Sequence, residues 1–273
     1  MRRARLVWSL VIVVVAAMAV SSWAAEESAL AKIKNSGTLK VCVAQQLPEM
    51  YKNPTTGEFN GVFVDLLNEL THWMNVKLEL VEVTWDMAVL SLNRGDCDLF
   101  GASLIYNAPR AMQLNYIKPF GAKSVNVIIK KGNPKKFRVP EDLNTEKVTL
   151  AVNVGSREHE TAKRLFPNAK ILALKVTQDV QLTESVKRGD ADAALFAPIV
   201  IRWWLMVPEN RAWAVMGLPG NDFGNAPNGW AIRYGDPDWK SFLDAFVDWV
   251  IANKMAVNLY EEYMKKTGPF AVK

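Results

Sequence analysis

Leu92-Asn93-Arg94-Gly95-Asp96-Cys97-Asp98-Leu99 runs into the apolar Phe100-Gly101-Ala102, and Val186-Lys187-Arg188-Gly189-Asp190-Ala191-Asp192 runs into Ala193-Ala194-Leu195-Phe196. Each stretch reads as the end of a helix, a glycine stop and then a buried strand. The residues ahead of them fit. Residues 85–93 carry apolar side chains at helical spacing, and 177–187 open on a potential N-cap, Thr177. RGDxD is a short pattern, and recurrence alone is compatible with coincidence. Recurrence in the same local context predicts two similar α/β lobes.

Working outward, strand patterns recur in parallel. Residues 39–44 open a first lobe, and 78–83 follow an amphipathic helix at 64–74. Residues 148–152 open a second lobe, and 170–174 follow a helix at 158–165. Alternation of strand and helix predicts mostly parallel sheets flanked by helices. Pro, Lys and Gly punctuate 130–136. The C-terminal part reads as helical. Asp238 is the expected cap of a helix whose apolar face is Trp239, Phe242, Phe246 and Val250, and a last helix at 256–265 stops before Gly268-Pro269.

The chain has 273 residues, half of them apolar and 22% charged, an ordinary globular composition. Its +5 charge comes from 33 Lys+Arg against 28 Asp+Glu. Arg2, Arg3 and Arg5 lie in the first 24 residues, which hold no acid, so the remainder carries only +2. That argues against a nucleic-acid partner. Two Cys and two His exclude a zinc ribbon, an iron–sulfur protein and a disulfide-dense scaffold. No feature calls for a metal or cofactor.

The first 24 residues have the layout of a secretory signal peptide: a cationic head, an apolar run at 6–20 broken only by Ser9, and Ser22-Trp23-Ala24 as a cleavage site after Ala24. The run of about 15 residues is short of the roughly 20 that span a bilayer, so an uncleaved anchor is the weaker alternative. A soluble exported monomer is expected, periplasmic where the cell has an outer membrane.

Taken in order, the motifs resemble the extracytoplasmic solute-binding proteins of polar amino-acid ABC transporters. Ser36-Gly37-Thr38-Leu39-Lys40-Val41 resembles the family's opening strand. Thr56-Gly57-Glu58-Phe59-Asn60-Gly61 through Leu66 resembles its turn and helix, and Pro109-Arg110 followed by Tyr116-Ile117-Lys118-Pro119-Phe120 resembles the segment leading to its first crossover. Gly155-Ser156 resembles its Gly-Ser loop. The resemblance covers nearly all of the chain after residue 24. It implies the α/β, two-lobed type II periplasmic-binding-protein fold, each lobe a mostly parallel sheet flanked by helices, with the ligand cleft between the lobes. The first lobe would comprise residues 25–120 and return at 229–273. The second would comprise 125–223, with hinges at 120–124 and 224–228.

The resemblance also implies roles. Arg110 would grip a ligand carboxylate with two parallel N–H donors, a geometry that suits a guanidinium. Ser156, at the start of a helix, would add a hydroxyl to an anion seat. Trp85 matches a cleft-lining aromatic position, with a plain core Trp as the alternative. Ser103, Asn153 and Phe196 complete the expected ligand set. Trp203, Trp204 and Trp213 are expected to serve packing.

Three departures bear on the ligand. The position where amino-acid binders place the acid that holds the α-ammonium is occupied by Ala197, and no acid occurs between Asp192 and Glu209. A Thr five residues before the Arg is replaced by Ile105, and the small residue after the loop Ser is Arg157. An unpaired buried ammonium costs several kcal/mol. The expected ligand is therefore a carboxylate without a free amine, such as a dicarboxylate, aromatic or keto acid, held by Arg110 and Arg157. The alternative has Arg157 facing solvent and another acid, such as Glu49, replacing the missing one.

Cys42 lies in the first strand and Cys97 at the start of its expected neighbour. A disulfide and two buried free thiols are both open readings. A similar pair occurs in a family branch that accompanies quinoprotein alcohol dehydrogenases, so an accessory protein of such a dehydrogenase is an alternative to an ABC-transporter receptor with a membrane permease as partner. The fold also hosts a cyclohexadienyl dehydratase. Glu158 and His159 are the nearby acid–base candidates for such chemistry, but binding without catalysis is the expected role.

Overall fold

The computed structural model describes residues 27–53 and 56–265. The expected leader, 1–24, and the stop at Gly268-Pro269 lie outside the described residues. The strands are β1 (Thr38–Val43), β2 (Tyr51–Lys52), β3 (Phe59–Asn60), β4 (Lys77–Glu82), β5 (Leu99–Ile105), β6 (Asn115–Tyr116), β7 (Gly121–Lys130), β8 (Thr149–Asn153), β9 (Lys170–Leu174), β10 (Ala193–Phe196), β11 (Ala214–Met216) and β12 (Phe223–Ile232). The helices are α1 (Ala29–Ser36), α2 (Val62–Met74), α3 (Ala88–Arg94), α4 (Ala108–Ala111), α5 (Arg157–Leu165), α6 (Thr183–Arg188), α7 (Pro198–Trp204), α8 (Pro208–Trp213), α9 (Pro237–Ala252) and α10 (Met255–Lys265).

The main sheet path runs β4-β1-β5-β12-β7-β10-β8-β9. Read from its two ends, one arrangement occurs twice. β1 lies between parallel β4 and β5, and β8 between parallel β9 and β10. Antiparallel β12 closes the first set and antiparallel β7 the second. β7 and β12 pair with each other, Phe223 opposite Val125 and Asn228 opposite Gly121, so both chain crossings between the lobes run side by side.

The RGDxD repeat explains the symmetry at atomic level. Gly95 and Gly189 end α3 and α6 in the left-handed conformation, φ +77° and +96°. The second aspartate of each pattern then ties its loop to the neighbouring central strand. Asp98 Oδ2 accepts from the Lys40 N–H (3.0 Å), and Asp192 Oδ2 accepts from the Thr149 N–H (2.9 Å). The strands that follow, β5 and β10, are buried along their whole length.

Burial of the apolar helix faces holds each lobe. Phe63, Leu66, Leu67 and Leu70 of α2 and Trp239, Leu243, Phe246 and Val250 of α9 pack in the first-lobe core. Val125, Val127, Leu150, Val152, Phe166 and Leu195 form the second. Each such side chain contributes roughly 1.5–3 kcal/mol of transfer free energy. Two expected helix starts are corrected. Asp236, not Asp238, caps α9: its Oδ1 accepts from the Trp239 N–H at 2.9 Å, and Pro237 takes the first helical position. Residues 177–187 do not form one helix capped by Thr177. A 3-10 turn at Asp179–Leu182 precedes α6, because Asp179 is buried against Asn153 rather than exposed in a first helical turn. Cys42 and Cys97, adjacent through β1 and the approach to β5, are joined as a disulfide.

Candidate functional site

Between the lobes lies a small cavity lined by Gln46, Trp85, Ser103, Ile105, Arg110, Lys123, Ser156, Arg157 and Glu158. It is nearly filled, with about 10 Å³ left free, room for about one water. Gln46 comes from the loop after β1, Trp85 from the loop after β4 and Ser156 from the β8–α5 turn, while Ser103 and Ile105 lie on β5, Lys123 on β7, Arg110 on α4, and Arg157 and Glu158 on α5.

Arg110 sits on the short helix α4, whose N-cap Asn107 accepts from the Arg110 N–H at 2.9 Å. Its side chain turns inward and is 8% exposed. Nη1 reaches the Ile105 carbonyl at 3.4 Å, and Nη2 donates to the Gly155 carbonyl of the opposite lobe. Burial lowers its pKa, opposed by Tyr116, Glu158 and Glu160. Its donors meet carbonyl oxygens and the Tyr116 hydroxyl, so no carboxylate bonds directly to the guanidinium.

Ser156 caps α5, its Oγ accepting from the His159 N–H at 3.2 Å. Arg157 lines the cavity but is neither a free second cation nor solvent-facing. Its Nε and Nη2 donate to Glu158 Oε1 (3.2 and 2.8 Å), and Nη1 and Nη2 donate to the Lys123 and Ser124 carbonyls (2.9 and 3.0 Å). The side chain therefore clamps α5 to the crossing strand β7, its charge balanced by Glu158. Trp85 lines the cavity and also packs on Phe100, centroids 6.1 Å apart. Both readings of that residue hold.

Two expected ligand residues do not line this cavity. Phe196 is 2% exposed within the core, on a strand paired with β7. Asn153 Nδ2 donates to the Val176 carbonyl (3.0 Å) and Asp179 Oδ1 (2.8 Å), so it fixes the loop beyond β9. Burial and the nearby Glu158 and Glu49 push the Asp179 carboxyl up to about 7. Ala197 faces a neighbouring cavity of about 260 Å³ that it shares with Lys123, Arg202 and Tyr260.

Lys123, like Gln46, lines the cavity and was missed from the sequence. Its Nζ donates to Glu49 Oε1 and to Ser103 Oγ (2.9 Å), and burial lowers its pKa against the opposing pull of Glu49. A signal was present. In β7, Lys123 alternates onto the side of Val125, Val127 and Ile129, so a period-two reading places a charge on a buried face. Gln46 carried no such signal. Trp85 Nε1 and Gln46 Oε1 are buried with no hydrogen-bond partner among the described residues, one donor and one acceptor at the cavity wall.

The lobes also touch around the cavity. Lys175 Nζ meets Asp86 Oδ2 at 3.0 Å, and Gln178 Nε2 donates to Gln45 Oε1 at 2.9 Å. Gly155, at φ +75°, comes so close to Asp86 that an added Cβ would lie 2.7 Å from its Cα.

Known proteins share this fold. The L-cystine-binding protein TcyJ of Escherichia coli strain K12 is 24% identical over 247 residues, 90% of each chain. A lysine-complexed structure from Wolinella succinogenes, described as a binding component of an ABC transporter, superposes with a TM-score of 0.75 at 28% identity, covering 85% of this chain and 97% of that one. The ancestral amino acid-binding protein AncCDT-1, described as a precursor of cyclohexadienyl dehydratase, gives a TM-score of 0.77 at 27% identity, covering 87% and 100%. The model of the bacterial extracellular solute-binding proteins, family 3, matches residues 39–266. The chain belongs to that family of solute-binding proteins.

Proposed function

We propose that this protein is a periplasmic receptor that closes its two lobes around a small carboxylate ligand and delivers it to an ABC-transporter permease. The observation that carries the reading is the buried Arg110 guanidinium, which faces the cavity with carbonyl oxygens and the Tyr116 hydroxyl as its protein partners. Ser103, Ser156 and the unpartnered Trp85 Nε1–H add hydroxyl and N–H groups around it. Arg110, Lys123 and Arg157 face Glu158 at the wall and Glu49 behind it, leaving one positive charge in excess. That balance favours an anion. A dicarboxylate, aromatic or keto acid without a free amine is the preferred ligand class, since the position expected to hold an ammonium acceptor is Ala197.

Turnover is the weaker reading. His159 Nδ1 accepts from the Gly155 N–H at 3.3 Å, and Glu158 is paired with Arg157, so both acid–base candidates serve structural bonds.

The test is a thermal-shift screen of protein stripped of ligand by unfolding and refolding. The panel pairs α-amino acids with their amine-free acids and adds C4–C6 dicarboxylates, with prephenate and arogenate turnover assayed alongside. Ligand at a hundred times its Kd adds about 2.7 kcal/mol, a shift of about 5–10 °C for a chain of this size. A shift with an amine-free acid and none with its amino partner supports the reading. A shift with the amino acid alone refutes the ligand class, and turnover refutes a pure receptor.

A further inference from the structure

The Lys123 ammonium has an unusual set of neighbours. Glu49, fully buried, accepts from Nζ through Oε1, and Ser103 Oγ lies 2.9 Å away. The rings of Phe63 and Tyr260 flank Nζ, with centroids 5.9 and 5.7 Å distant. Tyr260 Oη donates to Glu49 Oε1 at 2.9 Å and so orients the carboxylate. A carboxylate, a hydroxyl and two aromatic faces make a receptor for a primary ammonium, and Glu49 Oε2 is left without a partner among the described residues. The four groups come from the β1 loop, α2, β5 and α10, all in the first lobe, whereas Lys123 enters from the crossing strand β7.

We propose that this cluster is an ammonium seat permanently occupied by the protein's own Lys123, and that this occupancy makes the binding site select ligands without a free amine. The inference rests on the carboxylate reading of the cavity and names the residue that sets its specificity. Lys123 and Ser103 both line the cavity with Arg110, so the seat lies at the wall against which the rest of a carboxylate ligand must pack. A ligand ammonium placed there would compete with a tethered one whose effective concentration is far higher. Removing Lys123 leaves Glu49 as a buried, unpaired anion, which a small ammonium ion would neutralise.

The experiment compares wild type with Lys123→Ala in two arms. In the first, ethylammonium chloride is the probe, read by thermal shift and calorimetry against equal sodium chloride. Lys123→Ala is stabilised by ethylammonium and wild type is not. In the second, succinate with aspartate and 2-oxoglutarate with glutamate are the matched probes. Lys123→Ala binds the amine-bearing member about tenfold or more tightly than wild type does.

A folded Lys123→Ala protein that is blind to ethylammonium overturns the proposal, as does wild type binding aspartate or glutamate as tightly as the amine-free partner. Ethylammonium binding to Lys123→Ala with no response of either protein to any carboxylate keeps the seat and sinks the ligand reading instead. If Lys123→Ala does not fold alone, its refolding yield with ethylammonium becomes the readout. Recovery supports the seat and no recovery overturns it. The double variant Glu49→Gln/Lys123→Met, which has neither charge, must be indifferent to the probe.

Discussion

At the scale of single residues, binding is expected to hang on Arg110. It offers a planar fork in a buried position and has given no carboxylate partner of its own to that fork. Arg110→Ala is expected to weaken ligand binding by about 2–5 kcal/mol, at least about 30-fold in Kd. Arg110→Lys keeps the charge but not the fork, and an intermediate loss is expected. Calorimetry on both variants checks this, and an Arg110→Ala protein that binds as wild type refutes the role. Arg110 and Ser156 lie at the cavity, where the resemblance led us to look, and local bonds hold them there: Asn107 caps the turn that carries one, and Ser156 itself caps α5. The state of Arg157 was not legible. Its partners, the Lys123 and Ser124 carbonyls, lie more than 30 positions away on a crossing strand, and only the fold brings them to it. The ammonium seat was hidden for the same reason, being assembled from four separated elements.

At the scale of elements, the 3-10 turn that carries Asp179 has a pH signature. Its folded-state pKa is raised to about 7, from an ordinary value of 3.8. The folded protein therefore holds a proton that the unfolded chain releases between those values. The associated stability is fully present below about pH 4 and is lost as pH rises to about 7, an effect of order 2–4 kcal/mol. Asp179→Asn should flatten this part of the stability–pH curve, measured by urea unfolding from pH 4 to 8. An unchanged curve would show that Asp179 titrates normally. The disulfide between β1 and the start of β5 closes a 55-residue separation. The chain-entropy argument gives about 4 kcal/mol for such a loop. Cys42→Ala/Cys97→Ala should lower Tm by roughly 8–16 °C, and an unchanged Tm would contradict that. The strands and helices around each RGDxD pattern were legible, because it combines a glycine stop with an aspartate that binds its neighbouring strand. The crossing strands β7 and β12, by contrast, were read only as hinges at 120–124 and 224–228. The start at Asp236 was missed because its carboxylate serves two helices at once, also accepting from Ser28 Oγ and the Ala29 N–H of α1.

At the scale of the molecule, the two lobes meet beyond the β7–β12 pair through apolar packing, such as Tyr51 on Trp203 with ring centroids 5.2 Å apart, and through polar contacts. Arg110 to Gly155, Lys175 to Asp86 and Gln178 to Gln45 span the cleft. Close approach of Gly155 to Asp86 leaves no space for a side chain. Gly155→Ala is expected to hold the lobes apart and to weaken ligand binding by about tenfold or more. Its left-handed φ adds local strain of about 1 kcal/mol. Small-angle scattering should show no ligand-induced compaction of this variant, and compaction equal to wild type would refute the steric account. The two-lobed plan was legible in the sequence because one pattern occurs twice. The charge state of the cleft was not, since Lys123 meets Glu49 only after β7 crosses to the first lobe, while Arg157 and Glu158 pair as neighbours on α5.

The central claim is that the cavity holds a small carboxylate on Arg110 and has no place for a ligand amine. Mass spectrometry of the small molecule released when the natively purified protein is denatured tests it most directly, with Arg110→Ala purified in parallel. An amine-free carboxylic acid, stoichiometric with wild type and absent from the variant, is the expected result. Release of an α-amino acid from wild type would contradict it.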